Sequence, residues 1–390
     1  MQVSESGLRW FQDAKFGMFV NWGSYSVLGA GEWSMYDLRK VPLDHSALAE
    51  QFNPERFDAD DLVGLAADAG QRYLTHSTRH HDGFSMYDTA LSPYKCTNTP
   101  FKRDALAEVA EACAKHEVKL GVYVSLIDWS HPAYRASRRT ASGMAWDDYV
   151  GFLHGQVREL CTGYGPLAQV WFDGDWPLMP FDDPEYADWF QPGGAFGYED
   201  LYGLIHQLQP DAVVLNNRHV ELQPGEDVQG FEKDLPGNNT SGFNETLPGD
   251  NPLETCLTIN DSWGFHQWDH DYKSAEDLVR VLVRAAAAGA NLLLNVGPTA
   301  DGEVPEPQRQ RLAAVGAWLR VHGHTLYGTR ASRLQTPPGV VSTHANGTDF
   351  LHLLGDEAPE QFVVAVPGGG EVSVQAPHTI RNLAVTSFEL

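Results

Sequence analysis

Apolar residues in this chain gather into short unbroken runs, at 16–22 (FGMFVNW), 73–78, 119–126, 169–173, 212–216, 255–260 and 290–296. Continuous rather than alternating runs predict strands buried on both faces, as in a parallel sheet covered by helices. Between the runs, apolar positions recur at helical spacing. Residues 59–69 place Leu62, Leu65 and Ala66 on one face, and 104–115 repeat Ala and Val before His116 and Glu117. At 274–288 the helix opens on Ser274 and Asp277, a capping-box spacing, and Gly289 ends it just before the strand at Asn291. A further amphipathic stretch, 306–322, closes on Gly323.

About seven strand–helix units over roughly 320 residues predict an α/β fold of the (β/α)8, TIM-like barrel type. An open doubly wound sheet is disfavoured, because neither a GxGxxG nor a Walker loop follows the first strand. Past residue 328 the texture changes to short alternating strands separated by Gly, Pro and Asn, which predict a small antiparallel β-sandwich. The expected division is 1–327 for the barrel and 328–390 for the C-terminal domain. Residues 178–200 and 221–252 have little periodicity and are expected to be long loops over the substrate pocket.

Composition narrows the partners. The 390 residues are 42% hydrophobic and 20% charged, and 52 acidic residues outnumber 27 basic ones for a formal net charge of −25. Phosphate binding depends on clustered Lys and Arg, so nucleic acid is not an expected partner. Cys96, Cys113, Cys161 and Cys256 are scattered, with no CxxC and no paired spacing, and are expected to be buried thiols. The amino terminus lacks a basic and then apolar leader and no run reaches membrane-spanning length, so a soluble, cytoplasmic protein without a membrane partner is expected. The Asn238, Asn244, Asn260 and Asn346 triplets carry weight only in a secreted chain.

In a (β/α)8 barrel, chemistry sits at the carboxyl ends of the strands. That selects Asn21 and Trp22, then His80, His81 and Asp82, then Tyr123, Asp173, Asn216 to Arg218, and Asn260 to Trp263. Asp173 stands out, because the run VWFDGDW delivers a carboxylate between Phe172 and Gly174 with Trp171 and Trp176 close by. Aromatic rings bind the apolar face of a pyranose while polar groups bind its rim. Adjacent His80 and His81 face opposite ways on a strand, so a metal site is not expected. A glycosidase needs a second carboxyl, and Glu226, Asp227, Glu232, Asp234, Glu254 and Asp261 are the downstream candidates. Glu232 lies in the expected long loop over the site. Glu254 opens a strand and would then point away from the catalytic face.

Together the segments WFQDAKFGMFVNWG, GEWSMYD, YLTHSTRHHDGFSMYDT, GVYVS, VWFDGDW, LNNRH, LETCLTINDSWGF and NLLLNVGPTADG resemble, in order over about residues 8 to 327, the α-L-fucosidases of glycoside hydrolase family 29. The resemblance implies a retaining exo-hydrolase that needs no metal or other cofactor and acts on a fucosylated oligosaccharide or glycoconjugate. A homo-oligomer stays open. Asp173 matches the family's nucleophile. Its acid/base lies in a variable segment, where Glu232 is the choice and Glu254 the alternative. His80, His81, Trp33, Tyr123, Trp171 and Arg218 match sugar-binding or pocket positions, with Glu32 and Trp263 as further lining. One departure is Asn21, where the family carries a sugar-binding His. Asn is shorter and cannot be charged. It keeps two other readings open: a glycosidase for a related sugar such as an α-L-galactoside, and a fucose-binding protein with little turnover.

Overall fold

A computed structural model describes residues 2–37, 45–134, 146–176, 195–244, 246–355, 358–375 and 386–389. Eight strands build one parallel sheet: β1 Phe16–Val20, β2 Tyr73–Arg79, β3 Lys119–Ser125, β4 Leu167–Asp173, β5 Val213–Asn216, β6 Gln229–Glu232, β7 Leu253–Thr258 and β8 Ala290–Val296. Their order is β5-β4-β3-β2-β1-β8-β7-β6. The ring closes between its two edge strands through the parallel bridge Leu215↔Val228 and the bond from Asp227 N to Val214 O, 2.8 Å. This is the (β/α)8-type barrel that the unbroken apolar runs predict, and β2, β4 and β8 are buried at every position.

The eighth strand is the one missing from the apolar pattern. β6 is only the four residues QGFE, set in a stretch rich in Gly, Asn and Pro, so 221–252 reads as loop throughout. This strand puts Glu232 at a strand end rather than in a loop. β7 likewise begins at Leu253, two residues before the expected start, which places Glu254 inside the barrel. The expected loop 178–200 lies mostly outside the described residues, and the helix Tyr198–Leu208 already occupies its end.

The lumen is filled rather than hollow. Gly17 of β1 faces Tyr73 of β2 so closely that a Cβ there would sit 2.4 Å from the ring. The helix Glu5–Ala14 covers the bottom of the barrel: Phe11 packs on Tyr73 at 5.8 Å between centroids, and Asn291 Nδ2 donates to Phe11 O at 2.8 Å. All four cysteines are free and buried, as their scatter predicts.

After the barrel, β9 Arg330–Ala331, β10 Val340–Ala345, β11 Thr348–Leu353 and β14 Thr386–Glu389 form an antiparallel sheet, and β12 Gln361–Val366 pairs with β13 Gly370–Gln375. Asn346-Gly347 turns β10 into β11 with φ of 51° and 84°, the two positive values a tight hairpin requires. Val340, Leu351 and Leu353 of one sheet meet Phe362, Val364 and Val374 of the other in a small separate core. Among the described residues no helix is long and apolar enough to cross a membrane.

Candidate active site

The parallel register brings functional groups to one end of the barrel. Asp173 is the last residue of β4 and pairs with Ser125 at the end of β3. Gly174 then turns the chain at φ 101°, a conformation that side chains rarely adopt. Tyr123 of β3 donates to Asp173 Oδ2 at 2.9 Å, and Trp176 Nε1 donates to Oδ1 at 3.1 Å. Asn217, just past β5, donates from Nδ2 to Asp173 Oδ1 at 3.3 Å and to Glu232 Oε2 at 2.8 Å.

Around these carboxyls lies a cavity of about 370 Å³ including its mouth, lined by Phe19, Asn21, Trp33, His80, Tyr123, Trp171, Asp173, Trp176, Asn217, Glu232 and Trp263. One corner is wholly aromatic: Phe19 lies 5.3 Å from Trp171, 5.7 Å from Tyr123 and 5.9 Å from Trp263, centroid to centroid. On another side Trp33 stacks on Trp176 at 5.9 Å.

Burial, and next the charge of Glu232, push Asp173 up to about 7, against the hydrogen bonds from Tyr123, Asn217 and Gly174 N. Donors stabilise the charged form of a carboxyl.

The two histidines serve as neutral groups. Burial pushes His80 down to about 3 and His81 well below its ordinary range. The Ser125 hydroxyl gives its proton to Ile127 O at 2.7 Å, so His81 Nδ1 donates to Ser125 Oγ, also at 2.7 Å. His81 Nε2 is thereby left as an acceptor, 3.5 Å from Asp173 Oδ2. A ligand hydroxyl beside them can give its one proton to either acceptor. His80 stacks on Tyr123 at 5.6 Å, and among the described residues its buried Nδ1 has no hydrogen-bond partner.

Asn21 lines the pocket with its Oδ1 engaged by the Tyr25 hydroxyl, so its amide hydrogens are what it offers a ligand. Trp22, by contrast, is core: fully buried, against Phe57 at 4.7 Å, with Nε1 bonded to Thr299 O. Two expected lining positions, and the alternative acid/base, fall elsewhere. Arg218 turns to Glu226, at 3.2 Å, and to Glu221 O, because the residue after Asn217 faces away from the lumen. Glu32 spends its buried carboxyl on Gly264 N at 2.7 Å and holds the loop that carries Trp263. Glu254 lies deeper in the lumen, accepting from Tyr73, Gln169 and Trp171 at 2.6, 2.9 and 3.1 Å.

The other carboxyls are occupied too. Asp227 accepts from Val214 N, Asp234 accepts from Ser241 N, and Asp261 stands exposed near Lys273. Only Glu232, among the six downstream carboxyls, faces Asp173 across the pocket. Phe19 and Asn217 are pocket residues that the candidate set did not single out. Asn217 carried a signal, since it sits in the strand-end run Asn216 to Arg218; Phe19 is indistinguishable in sequence from any apolar strand residue.

Known proteins resemble this chain in sequence and fold. The alpha-L-fucosidase family model matches residues 2–324. Isoenzyme 1 of alpha-L-fucosidase from Paenibacillus thiaminolyticus superposes with a TM-score of 0.80 at 31% identity, over 96% of this chain and 92% of that one. The alpha-L-fucosidase of Dictyostelium discoideum is 26% identical over 84% of this chain and 72% of its own length. A Bacteroides thetaiotaomicron structure, a trapped covalent intermediate of a GH29 alpha-L-fucosidase, shares the fold with a TM-score of 0.83 at 22% identity, over 100% of this chain and 96% of that chain. With the fold, the strand-end carboxyls and these matches together, the chain belongs to the alpha-L-fucosidases, family 29 of the glycoside hydrolases.

Proposed function

We propose that this chain is a retaining exo-α-L-fucosidase in which Asp173 is the nucleophile and Glu232 the acid/base. The observation that carries the reading is the shared bond to Asn217. Both carboxyls lie within hydrogen-bonding reach of one nitrogen, so the two oxygens are at most about 6 Å apart, which suits retention and leaves too little room for the water of an inverting enzyme.

In the first step Glu232 gives its proton to the glycosidic oxygen as an Asp173 oxygen attacks the anomeric carbon. The bond to the aglycone breaks, the aglycone leaves as an alcohol, and the sugar is held as an ester of Asp173. In the second step Glu232, now a carboxylate, takes a proton from water. The water oxygen attacks the anomeric carbon, and Asp173 leaves with the electron pair of the ester bond. The trapped covalent intermediate of the Bacteroides enzyme, obtained with a glutamate-to-glutamine variant, supports such a course by analogy.

The aromatic corner bears on which sugar enters. Fucose ends in a methyl group at C6, where galactose has a hydroxyl. The corner of Phe19, Tyr123, Trp171 and Trp263 suits the methyl and would leave a hydroxyl without a partner. Asn21, with its Tyr25 bond, leaves both carboxyls and this corner in place, which favours turnover over binding alone.

The test is hydrolysis of p-nitrophenyl α-L-fucoside by the wild type and by Asp173→Gly, with azide added to the variant. Turnover by the wild type, its loss in the variant, and formation of β-L-fucosyl azide are expected. Fucose binding without turnover by the wild type would overturn the enzymatic reading, and faster cleavage of the α-L-galactoside would overturn the choice of sugar.

A further inference from the structure

Each half-reaction moves one negative charge across the pocket: it rests on Asp173 in the reactive form of the free enzyme and on Glu232 in the glycosyl-enzyme. A group that stabilises only one of these states would slow the other. Asn217 touches both. Its backbone N is pinned to Phe172 O at 2.9 Å, beside the nucleophile, and its Nδ2 reaches both carboxyls. The reversed amide would set Oδ1 against two carboxyl oxygens, so the network fixes its orientation. Among the described residues its buried Oδ1 has no partner, a cost that an Asn placed for packing alone would not carry.

We propose that Asn217 is a positioning residue shared by the two carboxyls, donating one amide hydrogen to each and so stabilising whichever of them holds the negative charge. The amide has two hydrogens, loses neither over the working pH range, and has no need to reorganise between steps. This inference rests on the roles assigned to Asp173 and Glu232 above.

Other groups face the pair. His81 lies 3.5 Å from Asp173, and His219 Nε2 lies 3.5 Å from Glu232 Oε2; burial holds both histidines below their ordinary range and therefore neutral. Tyr123 donates to Asp173, and Cys256 is the strand partner of Glu232; burial pushes both of their pKa values up. Lys233, beside Glu232, turns its Nζ to Asp261 O at 3.0 Å. Glu254 titrates in the same range as Asp173, but its carboxyl is held by Tyr73, Gln169 and Trp171.

The experiment is the pH profile of kcat/KM on p-nitrophenyl α-L-fucoside for wild type, Asn217→Ala, Asn217→Ser and Asn217→Asp, with folding followed by circular dichroism. Removing a donor destabilises the charged form of each carboxyl, so both limbs of the bell should move to higher pH, by about one unit in Asn217→Ala. Its kcat/KM should fall by ~10²-fold, in the range for loss of one preorganised donor. Asn217→Ser keeps a single donor and should fall between wild type and Ala. Asn217→Asp adds a charge and should shift furthest. A rate loss with both limbs unmoved, as a merely structural residue would give, overturns the proposal; should Ala fail to fold, unmoved limbs in Ser do so. Wild-type turnover and azide rescue of Asp173→Gly stand independently, so failure here is separable from failure of the retaining mechanism.

Discussion

Two carboxyls in the barrel lumen share one electrostatic signature and differ in everything else. Asp173 and Glu254 are both buried, and burial is the leading cause that pushes each up to about 7. Glu254 lies two residues below Cys256, the partner of Glu232, and hence one inward layer, about 6–7 Å, beneath the pocket floor. There it meets three donors and does not line the pocket. Asp173 meets donors as well, yet also borders open space and faces a second carboxyl. A perturbed pKa marks desolvation, which a structural carboxyl and a catalytic one both undergo. What separates them is an empty volume within reach and a partner able to exchange a proton.

Asp173→Asn should break that comparison most severely. Its side chain keeps the size and, through the carbonyl, the bonds from Trp176 and Asn217, but cannot attack. Turnover should drop by ~10⁴-fold or more, the scale seen when a nucleophile is removed. Stability should move the other way. With a folded pKa near 7 against an ordinary value of 3.8, the folded chain holds a proton between those values that the unfolded chain releases. Stability is thus lost as pH rises through that window, and the full cost stands above pH 7. The melting temperature of Asp173→Asn should exceed that of wild type at pH 8 and converge with it near pH 4. A gain independent of pH would show that ionisation is not its source.

Glu232→Gln should cost less and in a way that depends on the leaving group. For p-nitrophenolate, which departs with little protonation, the loss should be ~10-fold; for an unactivated oligosaccharide it should reach ~10²–10⁴-fold, the range for general acid catalysis. The basic limb of the pH profile should disappear with it. Equal losses on both substrates would reassign the proton donor.

The course of the chain explains what could be read in advance. Unbroken apolar runs revealed the parallel barrel, and the aromatics around Asp173 drew attention to that strand end. Glu232 is visible as a candidate, yet its segment reads as loop, because a strand of four residues with a glycine inside it carries no period to detect. The orientation of Glu254 turned on a strand boundary only two residues away, and such boundaries are set by pairing partners distant in sequence. Arg218 shows the same limit: being next to a pocket residue on a strand end places a side chain on the opposite face. The shared bond of Asn217 joins groups from three strands and has no local signature at all.

Glu254→Gln is the control for the comparison. The amide oxygen can keep the Gln169 and Trp171 bonds, while its nitrogen can donate to the Tyr73 hydroxyl. The expected change in kcat is under ~10-fold, with both limbs of the profile in place, because the residue meets substrate only through Trp171. Glu254→Ala should instead lower stability by about 2–4 kcal/mol, since three buried donors lose their acceptor. Azide rescue of Glu254→Gly would overturn this assignment and make it the catalytic carboxyl.

Lys15 carries the contrast to its limit, and its effect on turnover should be the smallest. It is 1% exposed at the bottom of the barrel, its Nζ has no hydrogen-bond partner among the described residues, and burial, then the Arg330 charge, push it down to about 7 from 10.5. It therefore titrates beside Asp173 and Glu254 while lying at the opposite end from the pocket. Between pH 7 and 10.5 the unfolded chain holds a proton that the folded chain gives up, so stability rises with pH across this window and the full cost is present below pH 7. Lys15→Met fills a similar volume without a charge. Its melting temperature should exceed that of wild type by several degrees at pH 6, the advantage should shrink toward pH 10, and kcat/KM should stay within ~2-fold, as for a change remote from the site. An undiminished advantage at pH 10 would mean that packing, rather than the stranded ammonium, is what Met improves.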